Sequence, residues 1–387
     1  MKFNPAFADL PISIFQHMTG LALKHDAVNL GQGFPDQDGP LALREVAAKQ
    51  LLEGPNQYPP SKGLAVLRQA VSDHARKFYG LEYDAEDEVV VTSGGTEALG
   101  ACILACGVPG AEFVLIEPTY DSYRPVVEST GAVIKTVKLG PPNWALTEDA
   151  LRAVIGPKTR AVLINSPHNP AGRAFRREEL ETLAKVLLET EAVVICDEVY
   201  EHLVFDGRPH IPLATLPGMR DRCLRIGSAG KIFSLTGWKV GWVSAPRALA
   251  ALAFRAHQFI TFTTPPALQL GVAHGLTHEM DFPLALTERL QGNRDVLAAG
   301  LTRLGFDVQP CEGTYFLTAD ISRLTNDKDL AFCERLVREA GVALIPLSAF
   351  FKSGTPDTFV RFAFCKQRSV IEESLKRLET YFQKDPA

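Results

Sequence analysis

Two lysines raise the first chemical question. Lys231 and Lys239 stand eight residues apart in GSAGKIFSLTGWKVGW (227–242), where the other residues are small or apolar and a buried free ammonium is costly. Other short stretches gather reactive side chains in the same way: SGGTEAL (93–99), EPTYDSY (117–123), NSPHNPAGR (165–173) and CDEVYEH (196–202). Ser93, Gly94, Gly95 and Thr96 offer successive backbone N–H groups that suit a phosphate, although a tight turn capped by Thr96 fits the same residues. Asp197 ends a buried apolar run and needs a cation or a donor to stay ionised, a need that an ordinary salt bridge would also meet. Asn169, between His168 and Pro170, is equally suited to an Asx turn.

The elements that must position these residues are legible in the hydrophobic pattern. EVVVTS (88–93), EFVLIEP (112–118), AVIKTV (132–137), RAVLINS (160–166), AVVICDE (192–198), CLRIGS (223–228) and VGWVSA (240–245) are short β-branched runs, most of them separated by helix-like stretches. That alternation predicts an α/β fold whose seven-stranded, mostly parallel sheet is covered by helices. TEALGACILACG (96–107) and RREELETLAKVLLET (176–190) are helix candidates with a period near 3.6. In an open sheet of this kind ligands bind outside the carboxyl ends of the strands, and five of those ends carry the chemistry.

Beyond about residue 246 the pattern changes. PRALAALAFRAHQFI (246–260) and LALTERLQGNRDVLAAGLTRLG (284–305) predict long helices, followed by FDVQPC, GTYFLTAD, ALIPL and FVRFAF as strands around the amphipathic DKDLAFCERLVREAG (327–341). This predicts a second, smaller α+β unit. The division expected is an N-terminal arm with part of the small unit (1–45), a large unit (46–285) and a C-terminal small unit (286–387). The arm has no strand ladder of its own and is expected to join the small unit or to wrap a second subunit.

Composition narrows the partners. With 387 residues, a formal charge of −5 and a pI near 6.0, the chain has no basic footprint for nucleic acid or an anionic membrane, so small molecules are the expected ligands. The N-terminus lacks a signal-peptide pattern and no apolar run is long enough to span a membrane, from which a cytoplasmic location is expected. Seven cysteines without a CxxC pair point to neither a disulfide framework nor zinc; Cys102 and Cys106 read as buried structural residues, and no metal is expected. Nucleotide fingerprints fit poorly: GQGFPD (31–36) breaks GxGxxG at its last glycine, and Gly230-Lys231 lacks the rest of a P-loop.

A pyridoxal 5'-phosphate cofactor would need an amine for an imine, a carboxylate at the pyridine nitrogen, donors near the phenolic oxygen, an aromatic face and a phosphate cup, and the chain offers a candidate for each. In addition, GSAGKIFSLTGWKVGW, NLGQGFPD, NQYPPSKG, NSPHNPAGR, CDEVYEHLVFDG and VRFAF stand in the order found in one family. Over essentially its whole length the chain resembles the fold-type I, class I/II pyridoxal phosphate-dependent aminotransferases, most closely the kynurenine, glutamine and methionine aminotransferase group. The resemblance implies that Lys231 holds the cofactor aldehyde, that Asp197 keeps the pyridine nitrogen protonated, that Tyr200 and Asn169 bond the phenolic oxygen and that Tyr120 stacks on the ring. It further implies that Gly95, Thr96, Ser228 and Lys239 bind the phosphate, joined by Tyr58 from the other subunit of a homodimer. Arg361, with the Gly33 backbone and Asn169, would receive the substrate α-carboxylate. Lys239 stands where many class I enzymes have arginine, as in the kynurenine-type group.

The family analogy also puts Phe15, Tyr58 and FITFT (259–263) around the substrate side chain, although plain packing explains these aromatics equally well. An apolar lining favours methionine, glutamine, aromatic donors or kynurenine over aspartate, with a 2-oxo acid as acceptor. Two rival readings stay open at this level: a carbon–sulfur β-lyase acting on cystathionine-like substrates, and a pyridoxal phosphate-binding regulatory protein with little turnover.

Overall fold

The structure is a computed structural model that describes residues 3–8, 10–352 and 356–384. In chain order its strands are β1 (Val28–Asn29), β2 (Val89–Thr92), β3 (Glu112–Glu117), β4 (Val133–Lys138), β5 (Thr159–Asn165), β6 (Val193–Asp197), β7 (Cys223–Ser228), β8 (Gly241–Ser244), β9 (Asp307–Val308), β10 (Phe316–Asp320), β11 (Val342–Ala343), β12 (Ile345–Pro346) and β13 (Phe359–Ala363).

All seven apolar runs of the first part of the chain enter one seven-stranded sheet, ordered β2-β8-β7-β6-β5-β3-β4. Only β8 runs against its neighbours β2 and β7; the other pairs are parallel. Every residue of β2, β7 and β8 is buried, as expected of strands covered on both faces, which is why these runs are continuously apolar rather than alternating. The edge strand β4 alternates instead and exposes Lys135 and Lys138, charges that discourage pairing with another sheet.

The helix Gly94–Cys106 follows β2 and lies against β6, β7 and β8 with Ala98, Ala101 and Cys102 buried. Small side chains let it approach closely, so its N-terminus sits directly over the strand ends. Gly241 makes the same approach possible from below: a Cβ there would lie 2.7 Å from the Gly94 carbonyl carbon and 2.8 Å from the Gly95 nitrogen. The helix expected from residue 176 runs Arg177–Leu188, with Glu178 and Glu179 in its first turn; the Glu179 carboxylate accepts the Arg176 N–H at 3.0 Å, which favours the helix start.

The C-terminal part forms a four-stranded antiparallel sheet ordered β12-β13-β10-β9, on which the helix Asp329–Glu339 packs, while the helix Arg368–Lys384 packs on β11 and on the helix Asp281–Arg303. The N-terminal segment joins this unit: β1 pairs in parallel with β11, and the Leu30 carbonyl accepts the Ala363 N–H at 2.6 Å. Residues 31–33 are thereby carried across the end of β13 toward the large sheet. No helix among the described residues is long and apolar enough to cross a membrane. All seven cysteines are free and buried, including Cys102 and Cys106.

Around the turn that follows β6 lies a buried ionic cluster that the sequence pattern does not announce. Arg225 on β7 bonds the Glu198 carboxylate from Nε at 2.8 Å and Nη2 at 2.6 Å, and reaches Glu201 at 3.4 Å. His210 Nε2 lies 3.2 Å from Glu198. The cluster clamps the turn after β6, so that Asp197 and Tyr200 project to the opposite side.

Candidate active site

A cavity of about 400 Å³ opens where β2, β5, β6 and β7 end, between the large sheet and β13. Its lining includes Phe15, Gly33, Gly95, Thr96, Tyr120, Asn169, Asp197, Tyr200, Ser228, Lys231, Lys239 and Arg361, twelve of the thirteen residues singled out above. The thirteenth, Tyr58, stands outside it, 82% exposed and edge-on to Phe262 with ring centroids 5.2 Å apart.

Lys231 sits in the short helix Ala229–Ile232 directly after β7, at the floor of the cavity. Burial pulls its amine down from the ordinary lysine value to about 8; the positive charges of Lys239 and Arg361 add to this, while Cys365 and Asp197 oppose it. Its Nζ donates to Tyr315 Oη at 2.6 Å. Asp197 ends β6 beside Asn165, its register partner on β5. The Asp197 carboxylate accepts Tyr123 Oη at 2.5 Å and the Val199 N–H at 3.4 Å, while burial raises its carboxyl to about 6. Asn165 Nδ2 bonds the Asp197 carbonyl at 2.9 Å and its Oδ1 accepts the Asn169 N–H at 2.7 Å, tying two strand ends together.

At the other end of the cavity Gly94 takes φ +80° and opens the helix Gly94–Cys106, while Ser228 and Lys239 approach from β7 and the turn before β8. Lys239 itself has φ +53°, in the left-handed region, and its Nζ comes within 3.5 Å of the position a Cβ on Gly94 would occupy. Unlike Lys231 it is exposed: the two lysines of the same apolar-looking segment serve different environments.

Arg361 is the only arginine among the described lining residues and is 1% exposed. Its Nη1 donates to Asn169 Oδ1 at 2.8 Å and its Nη2 to the Gly31 carbonyl at 2.9 Å, while Nε has no partner. The guanidinium lies over Phe316 at 3.9 Å, Phe350 at 4.9 Å and Phe15 at 5.3 Å from the ring centroids. Burial pushes its basicity down to about 10, and no carboxylate lies within ion-pair distance of it among the described residues. A buried cation held by neutral acceptors is prepared for an incoming anion.

Three residues that sequence reasoning passed over belong to the same constellation: Tyr123, Asn165 and Tyr315. Tyr123 and Asn165 lie in the strand-end stretches quoted above, so proximity in sequence to Tyr120 and Asn169 was a usable signal. Tyr315 arrives from the small unit, and only the tertiary structure brings it to Lys231.

The donor set fits pyridoxal phosphate. The lining supplies the Lys231 amine, the buried Asp197 carboxylate without an ion-pair partner among the described residues, the Tyr120 ring, and the start of the helix Gly94–Cys106 with the Lys239 ammonium. A Cβ on Gly95 would come within 3.0 Å of Val199, so a side chain there would crowd this part of the cavity.

The chain matches the sequence model of the family "Aminotransferase class I and II" across residues 25–378. It is 45% identical over 377 residues, 95% of each chain, to the "Probable N-succinyldiaminopimelate aminotransferase DapC" of Mycobacterium tuberculosis, and 38% identical over 369 residues to the methionine aminotransferase of Escherichia coli (95% and 96% covered). The kynurenine–oxoglutarate transaminase of Dictyostelium discoideum is 35% identical over 401 residues, with 94% and 92% covered. A solved structure of N-succinyldiaminopimelate aminotransferase from Mycobacterium tuberculosis superposes with a TM-score of 0.96 at 44% identity, covering 98% of this chain and 100% of that one. An amine and a carboxylate at adjoining strand ends, an anion cup at a helix start and likeness along the whole chain lead to one conclusion: this protein belongs to the class I and II aminotransferases, enzymes that use pyridoxal phosphate to pass an amino group between amino acids and 2-oxo acids.

Proposed function

We propose that the chain moves the amino group of a neutral, sulfur-containing or aromatic amino acid, such as methionine, glutamine or kynurenine, to a 2-oxo acid. The observation that carries this reading is the asymmetry of the cavity: Arg361 is its single arginine among the described residues, and the space beside it is lined by Phe15, Phe34 and Phe316. One arginine serves an α-carboxylate; an aromatic wall serves an apolar side chain better than a second charge.

In this reading Gly95, Thr96, Ser228 and Lys239 would hold the phosphate, Tyr120 would pack against the ring, and Asn169 and Tyr200 would bond its phenolic oxygen. Asp197 would pair with the ring nitrogen and help hold a proton there, and a positive charge at that position would return the raised carboxyl to its ionised form. When bound, the cofactor supplies the electron sink for the pair released as substrate Cα loses its proton. Lys231 Nζ takes that proton, and an amine titrating near 8 has a usable neutral fraction at cellular pH. Arg361, with Asn169 and the Gly33 backbone, fixes the carboxylate and so points the Cα–H bond at the lysine. We place the protein in the cytoplasm as a homodimer in which Tyr58 completes the partner's phosphate site, and keep the division into 1–45, 46–285 and 286–387 as its domain plan.

A second reading is supported by the 45% identity to the Mycobacterium tuberculosis relative: a donor or acceptor of the kind that relative's name states, N-succinyldiaminopimelate. The holoenzyme decides between them. Its absorbance band in the visible region is expected to bleach with methionine or kynurenine and to return with a 2-oxo acid, with kcat/KM for these donors exceeding that for aspartate. A kcat/KM for N-succinyldiaminopimelate about 100-fold above methionine would replace the first reading with the second. Pyruvate and ammonia released from cystathionine without any 2-oxo acid would favour a β-lyase instead.

A further inference from the structure

Tyr315 is the polar group in direct hydrogen-bond contact with the Lys231 amine, yet it comes from a different part of the fold and from outside the motifs around the lysine. It sits immediately before β10, 1% exposed, its ring edge-on to Tyr200 at 5.2 Å. Its hydroxyl donates to the Gly33 carbonyl at 2.6 Å. A phenol has one proton to give, and a carbonyl can only accept, so that proton is committed to Gly33. Toward Lys231 the oxygen therefore acts as an acceptor, a role matched by the N–H donors of the amine. The Tyr200 hydroxyl also faces it.

The backbone is strained to make this contact. Thr314, the preceding residue, has φ +67° although β-branched residues avoid that region, and it is held there by its N–H on the Leu203 carbonyl at 2.9 Å and by the Phe316 N–H on its Oγ1 at 3.0 Å. At the other end a Cβ on Gly33 would lie 2.4 Å from Phe316 and 3.1 Å from the Tyr315 ring, so only glycine lets the N-terminal segment come close enough to accept.

We propose that Tyr315 is a positioning residue for Lys231: its oxygen holds one N–H of the amine, its own proton stays on the Gly33 carbonyl, and the nitrogen lone pair is thereby left unblocked and aimed into the cavity. This rests on Lys231 being the base of the reaction. In the step concerned, the substrate Cα–H bond breaks, the proton bonds to the Nζ lone pair to give an ammonium, and the electron pair stays with the substrate side. Removing the acceptor has two effects of opposite sign. The ammonium loses a bond that favours it, so the amine becomes neutral at lower pH; the lone pair loses its orientation, so proton transfer slows.

The titratable and charged groups facing Lys231 are Asp197, Lys239, Arg361 and Cys365, with the hydroxyls of Tyr200 and Tyr315. Tyr315→Phe changes none of the first four. The test compares this variant with the native chain in two measurements. Competitive acetylation of the cofactor-free full chain, read at Lys231 by mass spectrometry, should show a midpoint near 8 that falls by about one pH unit in the variant, so that labelling at pH 7 becomes about fivefold faster. Single-turnover reaction of the holoenzyme with methionine should slow about tenfold or more, with a larger effect of α-deuteration and little change in the methionine Kd. An unchanged labelling midpoint, or a half-reaction within twofold of native with the same isotope effect, overturns the inference. Should the phenylalanine variant not fold, 2,3-difluorotyrosine at 315 keeps the ring and weakens the acceptor; it must lower the midpoint or the inference fails. Borohydride fixation followed by peptide mapping separates the two levels: cofactor found on another lysine sinks the reading of Lys231 itself, whereas cofactor on Lys231 with an unchanged Tyr315→Phe variant sinks only this one.

Discussion

Replacing Arg361 by leucine should separate stability from function. The guanidinium is buried among three phenylalanine rings, and burial lowers its basicity from 12.5 to about 10. That displacement corresponds to roughly 3 kcal/mol of penalty on the charged form relative to water. Leucine removes the penalty but also strips the Gly31 carbonyl and Asn169 Oδ1 of their donors and the rings of a cation, losses of about 2 to 4 kcal/mol together. The two nearly cancel. The unfolding free energy of Arg361→Leu, measured by denaturant titration with pyridoxal phosphate saturating in both proteins, is therefore expected within about 2 kcal/mol of the native value. Activity should behave differently. A carboxylate taken by two charge-assisted hydrogen bonds gains about 3 to 5 kcal/mol, so kcat/KM for methionine should fall roughly 10² to 10⁴-fold. The corresponding amine without a carboxylate, 3-(methylthio)propylamine, should react no more slowly with the variant than with the native enzyme. The reasoning is wrong if methionine keeps its kcat/KM within tenfold, or if the variant loses more than about 4 kcal/mol of stability.

The first half-reaction should accelerate as pH rises through about 8, because the Lys231 amine must be neutral to accept a proton; a rate that is flat from pH 6.5 to 9 in stopped flow would contradict this. In the cofactor-free chain the Asp197 carboxyl is raised to about 6, so the folded state binds more protons than the unfolded one between about pH 4 and 6, and stability should decline across that window. Asp197→Asn should flatten the decline in the same denaturation series. Arg225→Leu leaves Glu198 and Glu201 buried without their cation, and a loss of about 3 to 5 kcal/mol is expected by chemical denaturation; Glu198→Gln added to it should recover part of that loss.

Much of the architecture was legible along the chain because its signals are local. Each of the seven apolar runs contains a strand of the large sheet: runs of Val, Ile and Leu mark the strands covered on both faces, and the alternating run at 133–138 forms the edge strand β4. The placement of Lys231, Asp197, Asn169 and Gly95 at strand ends followed from the same pattern together with the rule that ligands bind there. Tyr123 and Asn165 stood within quoted stretches and went unremarked, because a tyrosine or asparagine next to a better candidate carries no additional local signal. The Glu198–Arg225–Glu201 cluster was hidden for a different reason: its charges sit in or beside apolar strands, and only the pairing of β6 with β7 brings them opposite one another.

What the sequence determined by itself, then, is the set of strands and helices, since periodicity and turn chemistry depend on neighbours a few residues away, and, through its resemblance to one family, most of the cavity-lining side chains. The tertiary structure alone decided that Lys231 is half-buried against the cavity while Lys239 is exposed, that Arg361 has neutral acceptors in place of a carboxylate, and that Tyr315 and Gly33, 282 positions apart, meet at the amine. Those facts are set by burial and by contacts between distant segments, quantities that a linear string of residues does not contain until the two sheets close on one another.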